Sequence, residues 1–294
     1  MKWELRHTAL TARQSRILGL GETMFRTFEK EDIAKRYDSA RALTEGTSDL
    51  WMTALAAALP PDFAPDDILD LGAGTGRFAV PLHTTFHCRV HAVEPAEAMM
   101  GEGKRNAFES VVWYHGSAEN IPLETGSMEL VWMSQTLHHF ENLDRAFQEI
   151  RRVLRPGGCL AIRNGTKENM VDLEWLRCFP DAERIDKTRL PARQELVDLA
   201  SKYGFVTVSI QTVYQCFASS YSDYYDKISR RGLSALIAIS DEAFEAGLCK
   251  LRDWVDKQPP DKPVNEPVDL FVFRVDKTGE CPTTESDATR AAEK

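Results

Sequence analysis

Short apolar runs alternate with amphipathic stretches through most of the chain. The apolar runs are rich in Val, Ile, Leu and aromatic residues and predict strands at 67–71, 89–93, 111–114, 128–133, 159–163, 205–213 and 269–275. Helical spacing of apolar residues predicts helices at 48–59, from 77 onward, at 95–108, 142–154 and 194–203, and over most of 219–256. Because strands that alternate with helices form βαβ units, the pattern predicts an α/β domain with a parallel sheet and helices on both faces.

The two ends of the chain differ from its middle. Residues 1–35 are mixed and charged and predict a helix with an irregular arm, so we expect residues 1–60 to form an N-terminal helical arm or lid. Residues 61–275 hold the predicted α/β domain, with a helical insertion at about 219–260. Residues 276–294 are polar, show no apolar period and are expected to be disordered. One domain with helical additions fits this pattern better than two domains.

Composition narrows the classes of partner. The chain has 294 residues, with 36 Lys plus Arg against 45 Asp plus Glu and a formal net charge of −9. Nucleic-acid affinity comes largely from Lys and Arg that neutralise phosphates, so this excess of acid disfavours DNA, RNA and anionic lipid as partners. No apolar run reaches the roughly 18 residues of a membrane span, and the first residues lack the apolar core of a signal peptide. Six cysteines without a C-x-x-C pair indicate neither a disulfide framework nor a zinc site, so we expect no metal and a reducing cytoplasm.

A glycine-rich loop follows the first predicted strand. Gly72-Ala73-Gly74-Thr75-Gly76 stands between that strand and a helix, where glycines permit a tight turn and a close approach to a ligand. Glu94 ends the second predicted strand about 20 residues on, the position of an acid that binds ribose hydroxyls. The dinucleotide fingerprint needs a third glycine where Arg77 stands, and no phosphate-loop motif occurs. The loop and Glu94 together predict a nucleotide-like ligand. The missing phosphate-loop motif counts against hydrolysis of ATP or GTP.

Five motifs follow one another between residues 67 and 164. They are Leu69-Asp70-Leu71-Gly72-Ala73-Gly74-Thr75-Gly76, Val93-Glu94-Pro95, Gly116-Ser117-Ala118-Glu119-Asn120-Ile121-Pro122-Leu123, Leu137-His138-His139-Phe140 and Glu149-Ile150-Arg151-Arg152-Val153-Leu154-Arg155-Pro156-Gly157-Gly158. In this order they resemble the motifs of class I S-adenosylmethionine-dependent methyltransferases, especially the small-molecule branch similar to the enzymes of ubiquinone and menaquinone biosynthesis.

The resemblance implies both a fold and an activity. The fold is a Rossmann-like class I methyltransferase fold: a seven-stranded, mostly parallel sheet with helices on both faces. Its last strand, here 269–275, runs antiparallel, and helical additions lie at the N-terminus and after the sixth strand. The implied cofactor is S-adenosylmethionine, with S-adenosylhomocysteine as product. The implied reaction transfers a methyl group to an oxygen, nitrogen or carbon of a small organic acceptor, with oxygen slightly favoured.

The resemblance also implies which residues bind the cofactor. The N-terminal tyrosine that closes over the cofactor would be Tyr37, and the residues along its methionine part would be Asp70, Gly72, Ala73, Gly74 and Gly76. The ribose would be bound by Glu94 and Pro95, and the adenine by Ser117 and Ala118. Ser134 would lie at the reactive end. Gln135 would flank the reactive end beside Ser134. The family often has Asp where this chain has Ser117, which is a departure at the contact with the adenine amino group.

Two histidines are candidates for catalysis. A sulfonium methyl is already an activated electrophile, so the main task is to hold the acceptor in line with it. A hydroxyl acceptor would also need a base, and His139 or His138 can supply one because imidazole titrates near neutral pH. Both can equally shape the loop or bond to the backbone. Methyltransferases of nucleic-acid bases carry an Asp/Asn-Pro-Pro-aromatic segment where this chain has Met133-Ser134-Gln135-Thr136, which favours a small-molecule acceptor.

Three other functions remain open at this point. One is an NAD-dependent oxidoreductase, against which the missing third glycine counts, and another is a non-catalytic subunit that binds the cofactor. The third is methylation of a protein or a lipid, although no basic or amphipathic run supports the lipid. Residues 166–191 and 219–267 carry no motif that identifies an acceptor. Residues 175–180 are candidates for a substrate cover, and the aromatic residues at 214–225 can line a pocket or pack in a core, with the core favoured.

Overall fold

Seven strands form one mixed sheet in the computed structural model of the protein, which describes residues 46–106 and 110–276. The strands are β1 (Asp67–Leu71), β2 (Arg89–Glu94), β3 (Val111–His115), β4 (Met128–Ser134), β5 (Leu154–Asn164), β6 (Phe205–Ala218) and β7 (Val264–Val275). They lie in the order β3-β2-β1-β4-β5-β7-β6, and all neighbours are parallel except β7, which runs antiparallel to β5 and β6. The predicted fold class is confirmed, including the antiparallel last strand.

Helices pack on both faces of this sheet. They are α1 (Thr47–Ala58), α2 (Ala79–Phe86), α3 (Glu97–Asn106), α4 (Leu143–Val153), α5 (Glu174–Cys178), α6 (Pro180–Arg189), α7 (Arg193–Lys202), α8 (Tyr221–Ser229), α9 (Ser234–Ile237) and α10 (Asp241–Val255). Helices α4 and α7 share an apolar cluster with Leu69 and Leu71 of β1, whereas α1 and α2 share another with Ile68 of the same strand. Every residue of β1 is therefore buried, as expected of a central parallel strand.

Helix α4 illustrates how the sequence builds one of these faces. Its residues Ala146, Phe147, Ile150 and Val153 recur at helical spacing and are all buried. Asn142 begins the helix, because its side chain accepts a hydrogen bond from the Arg145 N–H at 3.0 Å. The helix thus lies along the sheet with its apolar stripe inward, close to where the sequence predicts it.

A third apolar cluster joins five further helices to the end of β6 and the start of β7. Helices α5, α6, α8, α9 and α10 contribute to it, and Tyr224 is completely buried there. The core interpretation of the aromatic residues is confirmed for Tyr224, whereas Phe217 packs on the edge of this cluster. Trp175, in the segment predicted to cover a substrate, also lies in this cluster.

Three strands extend five residues beyond a predicted end. Strand β5 begins at 154 rather than 159, β6 ends at 218 rather than 213, and β7 begins at 264 rather than 269. The pairing of β6 with β7 continues from Phe205↔Val275 to Ala218↔Val264. The added residues of β6 and β7 include polar ones such as Gln215 and Glu266, which interrupt the apolar alternation of a strand. Backbone pairing between β6 and β7 nevertheless keeps these residues in strand conformation. The sequence pattern predicts neither α5 nor α6. Helix α5 has only five residues, and charged residues dominate α6.

Several predictions concern the ends of the chain. Residues 1–45 and 277–294, which include most of the predicted arm and nearly all of the predicted tail, lie outside the described residues. Those predictions therefore stay predictions. Within residues 46–106 and 110–276, no helix is long and apolar enough to cross a membrane.

Candidate active site

The glycine loop turns sharply between β1 and α2. The N–H groups of Gly72 and Ala73 both donate to the carbonyl oxygen of Val93, at 2.9 and 3.1 Å. Gly72 has a φ of +70°, and a Cβ at that position would lie 2.6 Å from the Thr136 side chain. Only glycine fits such a position without strain. The loop is therefore fixed to the end of β2 and leaves the space above β1 open.

A first cleft, of about 320 Å³, opens beyond the carboxyl ends of β1 to β4. It brings together ten of the residues proposed from the sequence, namely Asp70, Gly72, Ala73, Gly74, Glu94, Pro95, Ser117, Ala118, Ser134 and His139. Gly76 does not line this cleft: its φ of +75° serves the turn, and a Cβ there would lie 2.9 Å from Trp113. His138 lines a different cleft, and Tyr37 lies outside the described residues.

Asp70 is an unusually placed carboxyl group. It is the second-last residue of β1, is 3% exposed, and lines the first cleft. Its Oδ2 has no hydrogen-bond partner within the described part of the chain. Burial and the negative charge of Glu94 raise the pKa of Asp70 to about 7, while Arg77 offsets part of this effect. Since an opposite charge favours the ionised form of a buried carboxyl, the cleft suits a ligand that carries positive charge.

Glu94 connects the loop to the cleft wall. Its Oε2 accepts a hydrogen bond from the Gly74 N–H at 2.8 Å, and its Oε1 accepts one from the Ala96 N–H at 3.0 Å. These two bonds orient the carboxylate at the wall of the first cleft, where carboxylate oxygens are suitable acceptors for hydroxyl groups of a ligand. Glu94 thus stabilises the loop and presents acceptor oxygens to the cleft, as the ribose-binding prediction requires.

The segment after β3 supplies another wall of the first cleft. Ser117 and Ala118 lie in a turn in which the Asn120 N–H donates to the Ser117 carbonyl oxygen at 3.2 Å. The apolar side chains of Met99 and Phe140 line the same space and offer surface to a planar ring. Sequence reasoning gave no cleft role to Met99, because nothing in its local pattern separates it from the core positions of α3.

A second cleft, of about 130 Å³, adjoins the first. Arg77 and Gln135 line both, so the two clefts share a boundary at these side chains. The second cleft lies between the ends of β4 and β5, helix α6 and the extended part of β6 and β7. Its polar and aromatic lining includes His138, Arg163, Trp175, Arg189, Gln215 and Glu266. The sequence gave no sign of this polar lining, because its residues come from distant segments that only the folded ribbon of β6 and β7 brings together.

The two candidate histidines lie on opposite sides of this boundary. Both belong to one turn of 3₁₀-helix, Leu137–His139, just after β4. His139 lines the first cleft and His138 the second, with ring centroids 4.0 Å apart. The two histidines are therefore neighbours, although each imidazole lines a different cleft.

Gln135 shapes the boundary through a strained backbone. Its φ is +59°, which is uncommon for a residue other than glycine and is frequent at functional sites. Its N–H donates to the Arg163 carbonyl oxygen at 2.8 Å, and its Oε1 accepts from the Gly165 N–H at 3.2 Å. These bonds hold Gln135 against the end of β5 and fix the wall between the two clefts.

A buried carboxylate anchors the loop beyond β5. Asp269 on β7 accepts hydrogen bonds from Thr166 Oγ1 and Thr212 Oγ1, each at 2.7 Å, and from Arg193 Nε at 2.7 Å. A further bond comes from Asn169 Nδ2 at 3.3 Å. Burial alone would raise the pKa of Asp269, but these hydrogen bonds, led by that from Arg193, hold it below its ordinary value. Because Thr166 and Asn169 line the second cleft, the hydrogen bonds of Asp269 fix the position of two residues in its wall.

Comparison with known proteins finds similarity to methyltransferases. A family model described as a methyltransferase domain matches residues 69–162. The ubiquinone/menaquinone biosynthesis C-methyltransferase of Rubrivivax gelatinosus is 35% identical over 151 residues, which are 50% of this chain and 57% of that protein. An uncharacterized methyltransferase of Schizosaccharomyces pombe is 32% identical over 184 residues, 61% of this chain and 68% of that protein.

Solved structures agree in fold. The crystal structure of a putative methyltransferase from an antibiotic biosynthesis pathway of Anabaena variabilis matches with a TM-score of 0.59 at 23% identity, covering 75% of this chain and 96% of that one. The chain spans about half the length of many of the curated relatives that it matches, as with 57% of the Rubrivivax protein and 50% of a malonyl-[acyl-carrier protein] O-methyltransferase. The range of the family model, residues 69–162, includes most of the strands and loops that build the first cleft.

Proposed function

The chain belongs to the class I S-adenosylmethionine-dependent methyltransferases, and we propose that it transfers a methyl group from S-adenosylmethionine to a small organic acceptor held in the second cleft. The observation that carries this proposal is the continuity of the two clefts at Arg77 and Gln135. A group-transfer enzyme needs one site for the donor and a second that opens directly onto it, because the reacting atoms must meet in line.

The first cleft fits the cofactor in charge and in shape. When bound, S-adenosylmethionine supplies a methyl group on a positively charged sulfur atom. We assign Asp70 to the methionine part, where its buried carboxyl would be ionised by the positive charge of the ligand. We assign Glu94, next to Pro95, to the ribose hydroxyls, since its carboxylate is already oriented by the Gly74 N–H. Ser117 and Ala118 would border the adenine, as the family resemblance implies.

The remaining residues would orient the two reactants. Gly72, Ala73 and Gly74 bring the backbone close to the cofactor, whereas Gly76 acts through the turn. Ser134 and Gln135, at the end of β4, would flank the reactive end of the cofactor. Tyr37, in the N-terminal segment, would close over the cofactor, as the family resemblance implies.

We propose oxygen as the methylated atom, with His138 as general base. His138 lines the second cleft, where a hydroxyl of the acceptor would lie, and imidazole accepts a proton near neutral pH. His139 lines the first cleft and would instead shape the reactive end of the cofactor site. An amine or a carbon nucleophile would place a smaller demand on His138, so the effect of replacing His138 reports on the acceptor atom.

Transfer of an isotopic label tests the proposal. The protein is incubated with S-adenosylmethionine that carries a trideuterated methyl group and with a protein-free extract of small molecules, and products are sought by mass spectrometry. We expect S-adenosylhomocysteine to form together with at least one trideuteromethylated compound, and neither with a Glu94→Ala variant. Binding of S-adenosylhomocysteine, measured separately, without any transfer would instead favour a non-catalytic cofactor-binding subunit. Consumption of NADH in a parallel incubation with the same extract, without methyl transfer, would favour an oxidoreductase.

A further inference from the structure

Strand β6 lies at one edge of the sheet. The strand order ends with it, and within residues 46–106 and 110–276 it pairs with β7 alone. In an antiparallel pair, the backbone groups of alternate residues point away from the partner strand. About half of the N–H and C=O groups of Phe205–Ala218 are therefore directed away from β7. Such a row of backbone groups is a template for pairing with another strand.

Exposed apolar side chains are concentrated on this strand. Of the seven large apolar side chains that are exposed among the described residues, four belong to β6 and are 41% to 62% exposed: Val206, Val208, Ile210 and Tyr214. Edge strands that stay single are usually short or carry charged residues or proline. Strand β6 has 14 residues and contains neither a charged residue nor a proline. The opposite edge strand, β3, has only five residues.

The absence of charge extends from β6 to helix α1. Residues 205–222 contain no Asp, Glu, Lys or Arg, and neither do residues 50–61, which include most of α1. Helix α1 borders β6, since Gln211 Nε2 donates to the Ala54 carbonyl oxygen at 3.3 Å. On the other face of the sheet, α7 presents charged residues such as Asp198 and Lys202. The edge of β6 and the side toward α1 therefore form an uncharged surface on an acidic protein.

A second copy of the chain fits this edge better than other occupants do. Because the net charge is −9, two copies repel each other, and the repulsion is smallest where the surfaces in contact carry no charge. The C-terminal segment begins close to the same edge, because Val275 pairs with Phe205. However, residues 277–294 contain seven charged residues and no Val, Leu, Ile, Met, Phe, Tyr or Trp. They offer no apolar side chain of matching size to Val206, Val208 or Ile210.

We infer that two copies of the chain form a dimer through the edges of β6, which pair antiparallel about a twofold axis. A twofold axis perpendicular to the strands places the β6 strand of one copy antiparallel to that of the other and joins the two sheets. Each copy then uses the same surface, so association is complete at two copies. Val206, Val208 and Ile210 line neither cleft, and the inference does not depend on the proposed function.

Sedimentation equilibrium of the full chain tests this inference. We expect the wild-type protein to be a dimer at about 50 μM. Val208→Lys should raise the dissociation constant of the dimer at least about tenfold, because each copy would bring a positive charge to the contact. The register of β6 shifts between Thr207 and Ser209, so Val208 has no partner in β7 and the lysine leaves that pairing intact.

Val112→Lys is the matched control. Val112 is 39% exposed, against 41% for Val208, and lies on β3 at the opposite edge of the sheet. This variant should leave the dissociation constant unchanged. Circular dichroism reports whether each variant is folded. If Val208→Lys is unfolded, Val206→Lys takes its place, because Val206 is more exposed, at 61%.

Hydrogen exchange of the backbone amides locates the contact. Amides of residues 206–214 should exchange more slowly in the dimer than after dilution below its dissociation constant, whereas those of β3 should not change. A wild-type protein that is monomeric at about 50 μM would overturn the inference; if its β6 amides were also protected, another segment of the same chain would cover the edge. A dimer that persists in the folded lysine variant, or that leaves exchange in β6 unchanged, would place the interface elsewhere and also overturn the inference.

Discussion

The carboxylates of Asp70 and Glu94 line one cleft from the ends of adjacent parallel strands, and burial together with the charge of Glu94 raises the pKa of Asp70 to about 7. Two neighbouring acids in a buried position destabilise the folded protein unless something positive lies near them. The arrangement is therefore costly for the protein without ligand and favourable once a cation is bound. Such a trade of stability for binding is typical of functional sites.

Replacing Asp70 by Asn should change stability in a pH-dependent way. The pKa of Asp70 is about 7 in the folded protein, against an ordinary value of 3.8, so wild-type stability should fall as pH rises from about 4 to about 7 and then level off. Asp70→Asn removes this loss. Urea unfolding of the ligand-free proteins measures this effect. The free energy of unfolding of the variant, relative to that of wild type, should rise by a few kcal/mol at most between pH 4 and pH 8, since one pKa unit corresponds to about 1.4 kcal/mol. A difference that does not vary with pH would contradict the raised pKa.

Replacing Gly72 by Ala should separate backbone strain from loss of the cofactor site. Gly72 and Gly126 both have a positive φ, but a Cβ on Gly72 would meet Thr136 at 2.6 Å, whereas one on Gly126 would meet nothing within 4 Å. We expect each alanine variant to lose about 1 kcal/mol of stability from left-handed strain, with a larger loss for Gly72→Ala. Only Gly72→Ala should also weaken binding of S-adenosylhomocysteine, measured by calorimetry. Equal cofactor affinity in the two variants would argue against a role for the Gly72 loop in binding.

His138 and His139 should affect different kinetic constants. If His138 is a general base toward a hydroxyl acceptor, His138→Asn should lower kcat by about 10²- to 10⁴-fold and remove the acidic limb of the pH–rate profile, with little change in the KM for S-adenosylmethionine. His139→Asn should mainly raise that KM, because His139 lines the first cleft. His87→Asn is a suitable control, since His87 is exposed and its φ of +54° is one that Asn tolerates. Unchanged kcat in His138→Asn would rule out the base.

Replacing Asp269 by Asn should destabilise the protein mainly at neutral pH. Its hydrogen bonds, with Arg193 as the strongest donor, hold the pKa of Asp269 below the ordinary 3.8, so its stabilising effect is present above that value and is lost as pH falls through the folded-state pKa. The Arg193 side chain is 38% exposed, so the loss should be about 1–3 kcal/mol, below the about 3–5 kcal/mol for one partner of a fully buried ion pair. Urea unfolding should therefore show a clear loss of stability for Asp269→Asn at pH 7 that shrinks as the pH approaches 3. A loss of the same size at both pH values would contradict the ionic role of Asp269.

Much of the fold and of the first cleft follows from local sequence patterns. Asp67–Leu71 is a strand with the bounds that its apolar run predicts, and the glycine loop and Glu94 fall where strand ends must place them. These features depend on neighbouring residues and on the common edge of a parallel sheet. The second cleft was not predictable, because Arg163, Gln215 and Glu266 come from three strands, and polar residues in the extended β6 and β7 obscure the strand pattern. The separation of His138 from His139 likewise depends on the turn of 3₁₀-helix that contains them.

The most direct measurement is a calorimetric titration of S-adenosylhomocysteine and, separately, of NADH into the wild-type protein and two glutamate variants. Glu94 accepts from the Gly74 N–H at 2.8 Å inside the first cleft, whereas Glu97 is exposed at the start of α3 and does not line it. We predict micromolar binding of S-adenosylhomocysteine to wild type and to Glu97→Gln, a loss of at least about tenfold in Glu94→Gln, and no binding of NADH. Tight binding of NADH without binding of S-adenosylhomocysteine, or equal affinities in the two variants, would contradict the assignment of the first cleft to S-adenosylmethionine.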